Sequence, residues 1–202
     1  MTRPSATVLA DLIARGPAAY ARQIWQPLAG DRPASVLIPL VADDTALRVV
    51  LTRRSPTLAK HAGEFSFPGG RPEPHDADLL ATALREAQEE IGLPASRVDV
   101  IGSLPPTTTY RTGFAITPYV GLVDRPSSWV TQASEVAEVA EPQLIELVAA
   151  RQVQRYRRAD GTTLDLPVFP LDGERQVWGA TARMLDELLA RLAPIIPGGG
   201  PR

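Results

Sequence analysis

The chain contains no cysteine, which excludes a disulfide framework, a thiolate metal site and a cysteine nucleophile. Metal chemistry is left to oxygen ligands or to the two histidines, His61 and His75. A basic excess is also missing: 21 Lys+Arg stand against 23 Asp+Glu, a formal net charge of -2. Tracking a phosphate backbone needs surplus positive charge, so nucleic-acid binding as the main task is not expected. No apolar run reaches membrane-spanning length, and Met1-Thr2-Arg3-Pro4 opens no signal-peptide stretch. A cytoplasmic protein with no membrane partner is the expectation. What is present is an ordinary globular balance, 44% hydrophobic and 22% charged, which argues against wholesale disorder. One domain with modest elaboration accounts for 202 residues. The 20 prolines and 15 glycines favour short strands and loops over a helical bundle.

Ser5 is placed to cap a short helix in which Val8, Leu9, Leu12 and Ile13 recur at helical spacing, with Gly16 as its stop. Residues 17–33 hold Pro17, Pro27, Gly30 and Pro33 and read as irregular, so 1–33 form an arm packing on the main domain. Residues 34–42 and 47–52 are apolar and β-branched, and 43–45 between them suggest a hairpin. Pro39 inside the first run points to a bulge or an edge position. An extended stretch over 64–67 ends at Pro68-Gly69-Gly70. A helix follows over 78–91, with Asp76 or Asp78 as N-cap and Gly92 as its stop. Strands are expected at 98–103, 115–123 and 136–140, and Pro142 suits the first turn of a short helix through Ala150. Gly161 turns a hairpin between 154–158 and 163–169. A last helix over 177–192 carries Met184, Leu185, Leu188, Leu189 and Leu192 as its apolar stripe, and Trp178 and Phe169 read as core. Residues 194–202 read as a flexible tail. The class is α+β, with a single domain over 34–193.

The chemistry-bearing stretch is the helix after the paired glycines. Leu80, Leu84, Ala87 and Ile91 form the stripe expected to dock on a sheet, and Glu86, Glu89 and Glu90 fall at i, i+3 and i+4 on another side. Carboxylates so placed repel one another, and a hard divalent cation reverses the sign of that interaction. Arg85 stands one turn before Glu89 and can hold its carboxylate. Taken alone, such a run is what a solvated helix face looks like. Its company gives it weight: a strand ending in Phe67-Pro68-Gly69-Gly70, a short loop, then this helix. Paired glycines let backbone approach a ligand with no Cβ in the way.

These residues resemble the signature box of the Nudix hydrolases, whose pattern is Gly, five residues, Glu, seven residues, then Arg-Glu-apolar-x-Glu-Glu-x-Gly-apolar. The second half matches as Arg85-Glu86-Ala87-Gln88-Glu89-Glu90-Ile91-Gly92-Leu93. Counting from Gly70, Arg85 stands one residue farther along, and Asp76 is nearest to the place of the family's first Glu. That departure is shared by the coenzyme A pyrophosphatase branch. Its upstream signature is matched by Val50-Leu51-Thr52-Arg53-Arg54-Ser55, Gly63 and Phe67-Pro68-Gly69-Gly70 in register. Ala59 stands where the branch carries Arg; Lys60 is adjacent, but a flexible point charge does not reproduce a bidentate guanidinium contact. Weaker likenesses continue through Ile116-Thr117-Pro118, Glu135-Val136-Ala137-Glu138 and Trp178-Gly179-Ala180-Thr181.

The resemblance implies the Nudix fold, a mixed β-sheet sandwiched between helices (α/β/α). It implies hydrolysis of a nucleoside diphosphate linked to another group, with Mg2+ or Mn2+ held by Glu86, Glu89, Glu90 and the Gly70 carbonyl. The catalytic set is then Glu89, Glu86 and Arg85. The base is a helix carboxylate, Glu89 or Glu86, with Glu138 as the alternative, although Glu138 reads equally as an alternating strand position. Arg54, Arg53, Lys60 and Gly69 are the expected substrate contacts, Arg111 a weaker one. His61 and His75 read as exposed. The branch implies coenzyme A or its acyl derivatives as substrate, giving (acyl-)phosphopantetheine and adenosine 3',5'-bisphosphate. Ala59 leaves open another nucleoside diphosphate derivative such as ADP-ribose or a dinucleotide. A non-catalytic nucleotide sensor is a third reading, against which the complete Arg-Glu and Glu-Glu spacing speaks. The partner is a small-molecule nucleotide, and a homodimer is an arrangement the resemblance allows.

Overall fold

The structure, a computed structural model, describes residues 4–15, 27–43, 46–57, 62–109, 112–157 and 161–197. In chain order the first half contains α1 (Ala6–Arg15), β1 (Arg32–Ala42), β2 (Leu47–Val49), β3 (Leu51–Arg54), β4 (Phe65–Ser66), β5 (Gly69–Gly70) and α2 (Leu79–Ile91). The second half contains β6 (Val98–Ser103), β7 (Thr107–Thr108), β8 (Phe114–Val123), β9 (Val136–Ala140) and α3 (Leu144–Ala150). It ends with β10 (Gln152–Arg157), β11 (Thr163–Asp172), β12 (Arg175–Val177) and α4 (Gly179–Leu192). Among these residues no helix is long and apolar enough to cross a membrane.

β1 is the spine of the main sheet. It runs parallel to β8 from Arg32↔Phe114 to Val41↔Val123, and its other edge takes β2 and β5 antiparallel. β6 and β7 add to β8, giving a mixed six-stranded sheet; β4-β3-β9 and β10-β11-β12 form two smaller ones. Alternation along β1 sends Leu37 and Val41 to α2, where Ala83, Ala87 and Ile91 cover them. Val36, Ile38 and Leu40 go to the opposite face, under Leu9 and Ile13 of α1 and Leu185, Leu188 and Leu192 of α4. Helices on both faces of a mixed sheet make the expected α/β/α sandwich.

Several local expectations hold to the residue. Ser5 Oγ accepts the Val8 N–H at 3.3 Å. Asp78 caps α2, its side chain accepting the Ala81 N–H at 2.8 Å. Gly92 closes the helix in the left-handed conformation, φ 68°. Others are corrected. Pro39 lies neither at a bulge nor on an edge: β1 is internal, and Pro39 faces the break between β5 and β2, where its carbonyl accepts the Val50 N–H at 3.0 Å. Pro39 has no N–H to return, the ladder with β1 stops at Val49, and from Leu51 the chain pairs with β9, which divides the expected 47–52 strand into β2 and β3. Pro142 precedes the Gln143 cap of α3 instead of entering its first turn, and its carbonyl accepts the Val49 N–H. Of the expected docking stripe of α2, Ala87 and Ile91 are buried, Leu84 is partly buried against the same cluster and Leu80 is half-buried; Ala83 joins them, its small side chain letting the helix sit close on the sheet. α4 is buried on more than its apolar stripe: Arg191 is tied to Glu187 at 2.7 Å and to the Ile13 carbonyl, and Asp186 to Arg151. Residue 194 is not yet tail, since a turn over Ala193–Ile195 leads Ile196 into the core. Trp178 is not core but 48% exposed, because strand alternation after the buried Val177 turns it outward; Phe169 is fully buried as expected.

Candidate active site

The site begins with two glycines forced against the spine. At Gly69 a Cβ would fall 2.3 Å from the Ser35 carbonyl oxygen and 2.6 Å from Val36 Cα, so a side chain would push β5 off β1. At Gly70 a Cβ would fall 2.2 Å from Glu86 Oε1. The Glu86 carboxylate therefore lies over the space that Gly70 leaves open.

Glu90 comes down one turn later on the same helix and is buried, only 4% exposed. The Gly69 N–H donates to its carboxylate and the Arg54 charge acts on it, but burial first, and the Glu86 charge second, push its pKa up to about 8. Burial also raises Glu86 above the ordinary glutamate value. Two desolvated carboxylates thus stand close enough to repel, with less cationic charge around them than full ionisation needs. Arg54 Nε is itself buried and has no hydrogen-bond partner. Glu89 is placed differently. Its side chain is half exposed and its carboxylate takes Arg85 Nη1 at 2.9 Å.

Arg85 does hold Glu89, but it does more. It donates to both carboxylate oxygens of Asp76 at 3.0 and 3.1 Å and to the Arg71 carbonyl at 3.1 Å, and lies 3.2 Å from Glu86. Asp76 also accepts the Glu73 N–H and the Thr82 hydroxyl. The Arg85 hydrogen bonds, foremost, hold its carboxyl far below the usual range. Asp76 thereby fastens the loop after Gly70 to α2. His75, exposed beside Glu73, takes no part in this clamp.

The remaining sequence candidates separate. Val50 packs toward α2 and Leu51 toward the opposite core, so alternation sends Arg54 to the carboxylates and Arg53 to the other face of β3. There Arg53 lies 3.5 Å from Glu138, whose carboxylate is gripped by Arg175 Nη1 at 2.6 and 2.8 Å. Lys60, His61 and Arg111 lie outside the described residues. Sequence reasoning missed Glu135, a half-buried carboxylate whose charge acts on both Glu86 and Glu90. Its carbonyl accepts the Ser55 N–H at 2.7 Å, and nothing in the spacing Glu135-x-x-Glu138 distinguishes it from its neighbour.

A NUDIX domain model matches residues 31–161. The chain belongs to the Nudix family. The Nudix hydrolase NudL of Salmonella heidelberg, named as uncharacterized, is 39% identical over 173 residues, covering 84% of this chain and 88% of its own. The NudL of Pectobacterium atrosepticum, named likewise, is 35% identical over 205 residues, covering 94% and 97%. Among solved structures, the NUDIX domain of Shewanella oneidensis NrtR, crystallised with ADP ribose, superposes with a TM-score of 0.49 at 17% identity. The match covers 69% of this chain and 86% of that one. As a Nudix hydrolase the chain is a pyrophosphohydrolase, and enzymes of this family generally use divalent metal ions.

The residues suit such an ion. Among the described residues no three Asp, Glu or His side chains converge into a cage. Mg2+, however, is commonly held by one or two carboxylates, with waters and substrate phosphates completing the shell. Glu86 and Glu90 offer two, and a cation between them would offset the repulsion that raises both.

A pH dependence follows for protein kept free of metal by a chelator. Glu90 binds a proton in the folded state up to about pH 8, whereas the unfolded chain releases it near 4.5. Between those values the folded state holds more protons, so stability falls as pH rises, by at most about 1.4 kcal/mol per pH unit. Melting temperatures in chelator should decline from about pH 5 to pH 8, and Glu90→Gln should flatten the decline. A melting temperature that climbs steadily over this range would contradict the assignment.

Proposed function

We propose that this Nudix pyrophosphohydrolase cleaves the diphosphate of coenzyme A or acyl-coenzyme A, giving (acyl-)phosphopantetheine and adenosine 3',5'-bisphosphate. The observation that carries the chemistry is the pair of carboxylates, buried Glu90 and half-buried Glu86, above the Gly69-Gly70 floor with Arg54 beside them. The choice of coenzyme A is supported by the in-register run from Val50 to Gly70.

Mg2+ or Mn2+ is the cofactor in this reading and would be held by Glu86 and Glu90 with the Gly70 carbonyl; Glu89, the third carboxylate the resemblance implies, is engaged by Arg85 and would have to turn from it to join them. When bound, the ion supplies charge neutralisation at the diphosphate and makes an attacking water more acidic. Arg54 binds a phosphate on the carboxylate side; Arg53, on the other face of β3 beside Glu138, does not join it, and Lys60 is a further contact that the resemblance alone implies. Glu89 or Glu86 takes the proton of the attacking water on a carboxylate oxygen, and Arg85 orients Glu89 through Nη1. Glu138, the alternative base, has to be freed from Arg175 before it can accept a proton.

A second reading keeps the chemistry and changes the substrate to another nucleoside diphosphate derivative such as ADP-ribose, because Ala59 replaces the branch arginine. A panel of coenzyme A, acetyl-coenzyme A, ADP-ribose and a dinucleotide, each with Mg2+, separates them. The expected result is kcat/KM for coenzyme A at least tenfold above that for ADP-ribose. Equal turnover of the two would overturn the coenzyme A assignment. Binding without turnover of any of them would favour a sensor.

A further inference from the structure

Ser35 lies on β1 with 0% of its surface exposed, and its Oγ has no hydrogen-bond partner. An unpaired buried hydroxyl is costly, so a position that retains one invites a functional explanation. The register supplies it: Ser35 stands directly opposite Gly70 in the antiparallel β1–β5 pair. Residues facing each other across such a pair project their Cβ atoms to the same face, about 4.5–5.5 Å apart. The Cβ that Gly70 lacks would lie 2.2 Å from Glu86 Oε1 and 3.0 Å from Oε2. The Ser35 hydroxyl and the Glu86 carboxylate therefore flank one space, the one left by the missing side chain. Leu37, two residues along β1, packs beneath α2 with Ala83 and Ala87, which fixes the face. Arg85 Nη1 stands 3.2 Å from the same Oε1 on the other flank. A serine hydroxyl rotates freely about χ1 and both donates and accepts.

We propose that Ser35 is a positioning residue for Glu86: when the divalent ion is bound, its hydroxyl donates to the Glu86 carboxylate, directly or through one water above Gly70, and would hold that carboxylate in the orientation that ligates. Arg85 and Ser35 then hold the carboxylate from two sides, and the glycine at 70 is what lets the hydroxyl reach across. The inference rests on the reading of Glu86 as a ligand. Partners of ligating carboxylates typically matter by about 10–100-fold in metal affinity.

The test is a Mn2+ titration followed by electron paramagnetic resonance of the free ion. It is run on the full chain and on Ser35→Ala, Ser35→Thr and Glu86→Gln, with melting curves recorded in chelator. Ser35→Ala is expected to weaken Mn2+ binding about tenfold while melting no lower in chelator than the parent, because the hydroxyl it removes had no partner. Ser35→Thr, which keeps the hydroxyl, should retain affinity. Parent-like Mn2+ affinity in Ser35→Ala, with Glu86→Gln weakened, would overturn the role of Ser35 and leave the metal reading standing. Parent-like affinity in Glu86→Gln would remove both. A matching fall in chelated melting temperature in Ser35→Ala would mark a packing role and overturn the proposal. So would loss of affinity in a normally melting Ser35→Thr.

Discussion

Glu90→Gln is expected to lower kcat by about a hundredfold or more while raising the melting temperature of the chelated protein. The two effects have one cause. Glu90 is buried against Gly69 and faces the Glu86 charge, which together push its pKa up to about 8. Glutamine fills the same volume, and its carbonyl oxygen can still accept the Gly69 N–H, so packing and that hydrogen bond survive. What disappears is an acid that the empty folded site keeps protonated at a cost to stability, and that would supply a negative charge to the ion. A structural glutamate would behave in the opposite way, with little change in kcat and a lower melting temperature. Steady-state kinetics at saturating Mg2+ and a melt in chelator distinguish the two.

The adjacent glycines should fail for different reasons. At Gly69 the obstacles to a Cβ are backbone atoms, the Ser35 carbonyl oxygen at 2.3 Å and Val36 Cα at 2.6 Å. Gly69→Ala must therefore part β5 from the spine of the sheet, at a cost of about 3 kcal/mol or more. At Gly70 the obstacle is the end of the Glu86 side chain, Oε1 at 2.2 Å, which can swing aside. Gly70→Ala should fold with a melting temperature near that of the parent and lose activity about a hundredfold, because Glu86 is evicted from its place. A Gly70→Ala protein with parental kcat would show that the Glu86 carboxylate need not lie over that floor. Parental stability in Gly69→Ala would contradict the close approach of β5 to β1.

How much of this was legible in the sequence depends on which force decided each feature. Helix α2 was readable to within a residue at both ends because its signals are local: Asp78 bonds its own first turn and Gly92 takes the left-handed conformation. Strands at 98–103 and 136–140 were bounded by equally local breaks. The split of 47–52 was not legible, since it arises where the segment leaves β1 after Val49 and pairs with β9 from Leu51, a partner distant in sequence. At the site, the identity of the acidic residues was readable but not their division of labour. Glu89 and Glu90 are adjacent and chemically equal; one is half exposed on Arg85 and the other is buried on Gly69, and only the position of the sheet separates them. Asp76 was noticed as a cap or a misplaced acid, whereas its work is to tie the loop to Arg85 and Thr82. Ser35 carried no signal, and Glu135 stood only in a weak likeness that did not set it apart from Glu138: each matters through a neighbour that is distant in sequence, and spacing along one chain segment cannot report that.

The most direct test is a crystal soaked in Mn2+ and measured for anomalous scattering. The account predicts an anomalous peak bounded by the carboxylates of Glu86 and Glu90 and the backbone at Gly70, abolished in the Glu90→Gln crystal. A fully occupied ion bound elsewhere, with those two side chains unmoved, would contradict it.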